Sequence, residues 1–127
     1  MITIDKGEFW DIVLYKTVNG DCPVEVFIDS IDDPKLKAKI LRDLDLLEEK
    51  GNLLGEPHSK PIKDSRGSLF ELRSKQSSNI TKIFYYFRKG RKIVLLNGFV
   101  KKANKTPQSE MIIAFAYKKD WEERNHE

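Results

Sequence analysis

The stretch ITKIFYYFRKGRKIVLLNGFVKK, residues 80–102, decides the fold because it contains two strands and the turn between them. Residues 80–87 are rich in β-branched and aromatic side chains, which favour strands. The segment RKGR then supplies a tight turn in which Gly90 can adopt a positive φ. Residues 92–101 are apolar at consecutive positions over IVLL, so we expect both faces of this strand to be covered. The stretch therefore predicts the centre of a sheet.

Upstream of this centre, the pattern predicts one strand and two helices. Residues 8–16 (EFWDIVLYK) are predicted to form the first strand. Asp21 is expected to cap a short helix, and Asp33 with Pro34 to begin a longer one that ends before Gly51. The apolar positions at helical spacing are Val24, Phe27, Ile28 and Ile31, then Leu36, Ile40, Leu44 and Leu47. We predict a helical hairpin with an acidic outer face.

The remaining segments complete a predicted β-α-α-β-β-β-α order. Residues 52–67 contain two glycines and two prolines and are predicted to be a loop. Residues 68–75 alternate as a strand does. Thr106 and Pro107 are expected to begin a last helix that ends near Arg124. The predicted class is α+β: one domain, residues 1–127, with a mostly antiparallel β-sheet, an N-terminal helical hairpin packed on one face and a C-terminal helix.

Length and composition are typical of a soluble globular chain. The 127 residues suit a single domain, and 34% of them are charged. No apolar run approaches the roughly 18 residues that a membrane span needs, and the first residues lack a signal-peptide pattern. The single cysteine, Cys22, cannot form an internal disulfide. We therefore expect a cytoplasmic protein without membrane contact.

The charge is distributed unevenly along the chain. Residues 60–106 contain 13 lysines and arginines against two acids, Asp64 and Glu71, which is a net charge of +11. The rest of the chain has a net charge of −8. A solvated surface with cancelling charges is the alternative, but two acids cannot neutralise this segment locally. The asymmetry favours a polyanionic partner for one face.

Common catalytic motifs are missing. His58 and His126 lie far apart in the chain and lack the HExxH spacing of zinc sites. The sequence has neither a glycine-rich phosphate loop nor a GxSxG motif. We therefore expect no metal and no cofactor, and the predicted central strands present arginine, lysine and tyrosine as their reactive side chains.

Three motifs together resemble a known family. They are LFELR (residues 69–73), KIFYYF (residues 82–87) and IVLLNGFVKKxxKTP (residues 93–107), followed by a predicted helix. This pattern resembles the phage-derived Gp49-like family of HigB-type toxins, within the RelE/ParE superfamily. The resemblance covers residues 67–124 well, whereas the first half matches only in layout.

The resemblance implies a RelE-like fold and a metal-independent endoribonuclease, the toxin of a type II toxin–antitoxin system. Such enzymes cut mRNA on the ribosome and inhibit translation, and a HigA-like helix-turn-helix antitoxin silences them. Operator DNA would be contacted only through that antitoxin. In this mechanism the RNA 2′-hydroxyl attacks the adjacent phosphate, so cations placed around the phosphate replace a metal.

The catalytic set implied by the resemblance is Arg73, Lys82 and Lys102, supported by Lys101 and Tyr86. Arg73 can hold two phosphate oxygens, although pairing with Glu71 on the same strand face is the alternative. Lys82 stands where relatives often have arginine. Tyr86 could stack a base or orient the 2′-hydroxyl of the RNA. The alternative for Tyr86 is packing in the core.

Four further cations are expected to hold RNA backbone rather than to catalyse: Lys60, Lys63, Arg66 and Lys105. Two other functions remain open at this stage. A ParE-like protein would share the fold and bind DNA gyrase without a catalytic set. A non-catalytic RNA-binding protein would use the same basic segments as a binding surface only.

Overall fold

A computed structural model describes residues 9–102 and 107–126. Within them the chain forms a five-stranded sheet and three helices, so the α+β class is confirmed. None of the described helices has the length and apolarity needed to cross a membrane. The elements in chain order are β1 (Asp11–Leu14), α1 (Pro23–Asp29), α2 (Pro34–Lys50), β2 (Ser59–Asp64), β3 (Gly67–Gln76), β4 (Asn79–Arg88), β5 (Lys92–Val100) and α3 (Gln108–Arg124).

The sheet has the strand order β1-β5-β4-β3-β2. All neighbouring strands are antiparallel except β1 and β5, which run parallel. The prediction of a mostly antiparallel sheet is therefore confirmed. Strand β5 is fully buried over its apolar run, and Gly90 has a positive φ in the turn before it, as the sequence predicts.

The two faces of the sheet carry two separate cores. Helices α1 and α2 cover one face, and α3 covers the other. On the α1–α2 face the main buried side chains are Val24, Ile31, Leu36, Ile40, Leu47, Leu72, Ile83, Tyr85, Ile93 and Leu95. On the α3 face they are Tyr15, Leu69, Phe84, Tyr86, Val94, Leu96, Phe99, Met111, Ala114, Phe115 and Trp121.

Helix α2 begins as predicted, whereas α1 does not. Asp33 accepts a hydrogen bond from the Lys35 backbone N–H, and Pro34 occupies the first turn of α2. The N-cap of α1 is Cys22, without a side-chain cap, so the expected capping by Asp21 is wrong. The physical reason is that Asp21 closes the preceding turn, where its backbone exchanges hydrogen bonds with Thr17.

The predicted loop over residues 52–67 is also wrong in part, because it contains strand β2. This strand lies at the edge of the sheet and pairs only with β3. Pro61 is tolerated there because an edge strand does not need every backbone N–H for pairing. The extra strand brings Lys60 beside β3, directly opposite Glu71.

Helix α1 approaches β5 closely at Gly98. A Cβ atom at this glycine would lie 2.4 Å from Cδ2 of Phe27 and 3.1 Å from Cγ1 of Ile83. A side chain at position 98 would therefore force the Phe27 ring to shift, so glycine suits this close contact between α1 and β5.

Candidate functional site

A cleft of about 380 Å³ opens where strands β2, β3 and β4 lie beside the end of β5. We call it the cationic cleft. Four cations line it, together with two glutamates and a proline: Lys60, Arg73, Lys82, Lys101, Glu56, Glu71 and Pro57. These residues come from four separate segments of the chain, so the cleft exists only in the folded sheet.

The strand register explains why these side chains meet. Arg73 lies directly opposite Lys82, and Lys60 lies directly opposite Glu71. Side chains directly opposite in a sheet project from the same face, and so do residues two apart along one strand. Lys101 continues the β5 ladder, since its backbone N–H donates to the Ile80 carbonyl at 2.8 Å. All four cations therefore project from the face that α3 covers further along.

Lys82 and Glu71 form a buried ion pair at the floor of the cleft. Lys82 Nζ lies 2.5 Å from Glu71 Oε1, and the two residues are 6% and 2% exposed. Burial of an unpaired charge is costly, so each charge depends on the other. Arg73 directly opposite Lys82 is a like-charge neighbour, an arrangement that destabilises a sheet unless a carboxylate compensates it.

Lys60, Arg73 and Lys101 differ from Lys82 in their side-chain contacts. Within the described residues, no ion pair or side-chain hydrogen bond joins Lys60, Arg73 or Lys101 to another group. Arg73 is held by its backbone instead, because its N–H donates to the His58 carbonyl at 2.7 Å. A fixed backbone with uncompensated side-chain charge suits an anionic ligand, and a guanidinium can hold two phosphate oxygens at once.

Tyr86 lies on the same face as Lys82 but belongs to the core under α3. Its ring packs edge-on against Trp121, with the ring centroids 6.3 Å apart, and Lys118 Nζ lies 4.9 Å from its ring centroid. It does not line the cationic cleft. Of the two roles left open by the sequence, the structure favours packing.

The two lysines that follow β5 lie on opposite sides of the chain, as adjacent residues of an extended segment do. Lys101 lines the cleft, whereas Lys102 is exposed and does not. Lys105 and Thr106 lie outside the described residues. Of the two lysines that follow β5, the structure therefore brings Lys101 to the cleft.

Lys60, Lys63 and Arg66, which were expected to hold RNA backbone, also lie in different surroundings. Lys60 enters the cleft, while Lys63 pairs with Ser68 and projects from the opposite sheet face. Arg66 is already engaged: its Nη2 lies 2.5 Å from Asp64 Oδ2, and its guanidinium lies over the Phe115 ring. The Arg66 guanidinium lowers the pKa of Asp64 below its usual value through this hydrogen bond.

Sequence reasoning missed two residues of the cleft, Glu56 and Pro57, and the partnership of Glu71 with Lys82. The alternation of LFELR does place Glu71 on the face of Arg73. Only the pairing of β3 with β4 decides that its partner is Lys82 rather than Arg73. Among the described residues, no three histidine, cysteine, aspartate or glutamate side chains are arranged to hold a metal ion.

Comparison with known proteins gives one family. The family model described as "Phage derived protein Gp49-like (DUF891)" matches residues 27–119, which include every residue of the cationic cleft. No curated protein matches the chain.

Proposed function

This chain belongs to the phage-derived Gp49-like family, and we propose that it is the toxin of a type II toxin–antitoxin pair, of HigB type and RelE-like fold. In this proposal it is an endoribonuclease that cuts mRNA on the ribosome in the cytoplasm. A helix-turn-helix antitoxin of HigA type silences it and alone contacts operator DNA. The observation that supports it most is the convergence of Lys60, Arg73, Lys82 and Lys101 on one cleft.

The proposed reaction needs cations more than any other group. The RNA 2′-oxygen attacks the adjacent phosphorus, a 2′,3′-cyclic phosphate forms, and the bond from phosphorus to the 5′-oxygen breaks. The 2′-hydroxyl proton passes to a basic group, and the departing 5′-oxygen takes up a proton. Extra negative charge develops on the phosphate oxygens during this exchange, so pre-placed cations lower the barrier.

Within this mechanism Arg73 and Lys101 contact the scissile phosphate, because they line the cleft and have no ion-pair partner among the described residues. Lys82 contributes charge from a fixed position, since Glu71 holds it. Lys60 holds a neighbouring phosphate at the β2 edge. The proton acceptors lining the cleft are the carboxylates of Glu56 and Glu71.

The test is mRNA cleavage by purified protein added to translating ribosomes, with cut sites mapped by primer extension. We expect Arg73→Ala and Lys101→Ala each to lower the cleavage rate roughly 100- to 1000-fold, because each removes a contact that strengthens in the transition state. Lys63→Ala is the matched control, a lysine of the same hairpin that projects from the opposite face. It should cleave as the wild type does.

Three outcomes would contradict the proposal. Full activity in the Arg73 and Lys101 variants would remove the cleft from the mechanism. Salt-dependent RNA binding without cleavage, even with ribosomes supplied, would indicate a non-catalytic RNA-binding protein. Arrest of DNA replication before translation on induction would favour gyrase as the target.

A further inference from the structure

The cationic cleft has two chemically different walls. Glu56 and Pro57 come from the segment between α2 and β2. The cations come from the sheet side, and they are Lys60, Arg73, Lys82 and Lys101. A nucleotide is divided in a similar way, because its phosphate is anionic and its base carries hydrogen-bond donors. The two walls of the cleft therefore suit two different parts of one nucleotide.

Backbone hydrogen bonds hold the wall formed by Glu56 and Pro57 in place. The Gly55 carbonyl accepts a hydrogen bond from the His58 N–H at 3.0 Å, which closes a turn around these two residues. The His58 carbonyl in turn accepts from the Arg73 N–H at 2.7 Å. The turn is therefore attached to β3 at the residue that supplies the guanidinium of the cleft.

The two carboxylates of the cleft differ in their surroundings. Glu71 is buried and paired with Lys82. Glu56 is exposed, and among the described residues no ion pair or side-chain hydrogen bond engages it. A free carboxylate repels phosphate oxygens of like charge, whereas it attracts hydrogen-bond donors. Glu56 therefore suits the donor-bearing part of a nucleotide rather than its phosphate.

We propose that Glu56 contacts the base of the nucleotide whose phosphate the cations hold, and that it selects guanine. This inference rests on the proposed function, because it takes RNA as the ligand. An ionised carboxylate offers acceptors only. Guanine presents N1–H and its N2 amino group side by side, so both carboxylate oxygens can accept from one base. The N3–H of uracil lies between two carbonyl oxygens, which a carboxylate repels.

The neighbouring residue and the size of the cleft agree with one bound base. Pro57 is exposed and follows Glu56 in the same wall, so its ring offers an apolar surface beside the carboxylate. Unstacked bases of single-stranded RNA are held in this way, by packing on one surface and by hydrogen bonds at the base edge. The volume of about 380 Å³ lies near the lower end of small-molecule sites, roughly 300–1,000 Å³. With Glu56 on the base, Glu71 is the other carboxylate of the cleft that can take the 2′-hydroxyl proton.

Binding of short RNA probes tests the base preference without requiring cleavage. The probes are uridine hexanucleotides made uncleavable by 2′-deoxy substitution, in which one central uridine is kept or replaced by guanosine or inosine. Fluorescence anisotropy at one fixed salt concentration gives each Kd. The wild type should bind the guanosine probe about five- to twenty-fold more tightly than the all-uridine probe, as for a bidentate contact to a base. Inosine lacks the N2 amino group, so it should lose most of this advantage.

Glu56→Gln should change the two affinities in opposite directions. It removes one acceptor, so the preference for guanosine over uridine should fall below about two-fold. It also removes a negative charge that repels phosphate, so the all-uridine probe should bind about two-fold more tightly. Glu49→Gln is the matched control, because Glu49 is an exposed glutamate of α2 that does not line the cleft. It should bind both probes as the wild type does.

The outcomes separate this inference from the proposed function. A wild type without a preference for guanosine would overturn the inference, and so would an equal preference in Glu56→Gln. If that variant keeps the preference but cleaves every mRNA site more slowly, Glu56 is a proton acceptor and not a base contact. A preference that depends on Glu56 in a protein that cuts no mRNA would support the inference and count against the endoribonuclease. Cleavage that depends on Arg73, without any preference for guanosine, would leave the proposed function standing alone.

Discussion

Lys82 is the residue that links the stability of the sheet to the proposed site. A lysine on this face of β4 is surrounded by core side chains such as Phe84 and Phe99, yet it lies directly opposite Arg73. Glu71 offsets the cost of burying the Lys82 charge, because its Oε1 lies 2.5 Å from Lys82 Nζ. The cleft therefore contains a paired cation at its floor and, among the described residues, three cations without an ion-pair partner around it. In the proposed function these cations contact phosphate.

The ion pair predicts how single variants behave. Glu71→Gln should lower the free energy of unfolding by about 3–5 kcal/mol, because it leaves the Lys82 charge buried beside Arg73. The double variant Glu71→Gln with Lys82→Met should recover much of that loss, since no buried charge remains. Equilibrium unfolding in urea measures both values.

Lys60→Met is the control for this experiment, because Lys60 lies in the same cleft, is exposed and has no ion-pair partner among the described residues. It should change stability by no more than about 0.5 kcal/mol. Equal destabilisation in the single and double variants would mean that Lys82 and Glu71 are not energetically coupled.

At the scale of elements, the first strand is joined to the last helix by a polar network. The Tyr15 hydroxyl, directly after β1, donates to Asp120 Oδ2 at 2.6 Å, and Arg124 Nη2 lies 2.7 Å from the same oxygen. Burial and the neighbouring Asp120 carboxylate raise the pKa of Tyr15 to about 12. The hydrogen bonds from Tyr15 and Arg124 lower the pKa of Asp120.

The direction of these shifts predicts stability at alkaline pH. The folded protein holds the Tyr15 proton more tightly than the unfolded chain, where tyrosine ionises near pH 10. The stabilisation is therefore complete below about pH 10 and is lost as the pH rises towards 12. Over that interval the wild type should lose roughly 2–3 kcal/mol more than Tyr15→Phe, measured by denaturant unfolding at each pH. Parallel curves for the two proteins would contradict this assignment.

Asp120 affects the stability of the fold at the acidic end of the pH range. Its pKa is lower in the folded state, so its contribution is present above the ordinary carboxyl range near pH 4 and is lost as the pH falls through the folded value. Asp120→Asn should lack this acid-dependent loss.

At the scale of the whole molecule, the sheet brings part of the basic segment of the chain to one face. Residues 60–106 include all the strands from β3 to β5 and most of β2, and they carry a net charge of +11. The fold then divides these charges: Lys60, Arg73 and Lys101 line the cleft, while Lys63 projects from the other face. The cleft side of the molecule should therefore dominate binding to a polyanion.

Salt dependence tests that division. Each phosphate contact to single-stranded nucleic acid contributes about −0.7 to the slope of log affinity against log salt concentration. Arg73→Ala and Lys60→Ala should each reduce the steepness of this slope for a single-stranded RNA oligonucleotide by about that amount. Lys63→Ala should leave it unchanged. A lower steepness in Lys63→Ala alone would place the RNA on the opposite face of the sheet.

Much of the fold could be predicted because its signals are local. The β-branched and aromatic run of β4, the apolar run of β5 and the Asp33–Pro34 start of α2 each depend on neighbours in sequence. The edge strand β2 could not be predicted this way, because its pairing with β3 outweighs the local signal of Pro61. The capping prediction for Asp21 was wrong for a different, local reason, since Asp21 closes a turn with Thr17 rather than capping α1.

The sequence by itself determined the α+β class, the basic segment and the strand face that Glu71 and Arg73 share. Only the tertiary structure decided that Glu71 pairs with Lys82 and that Lys101 rather than Lys102 lines the cleft. The physical reason is that alternation fixes which way a side chain points within its own strand. The partner that it meets depends on the register between strands and on the packing of helices, which couple residues far apart in the chain.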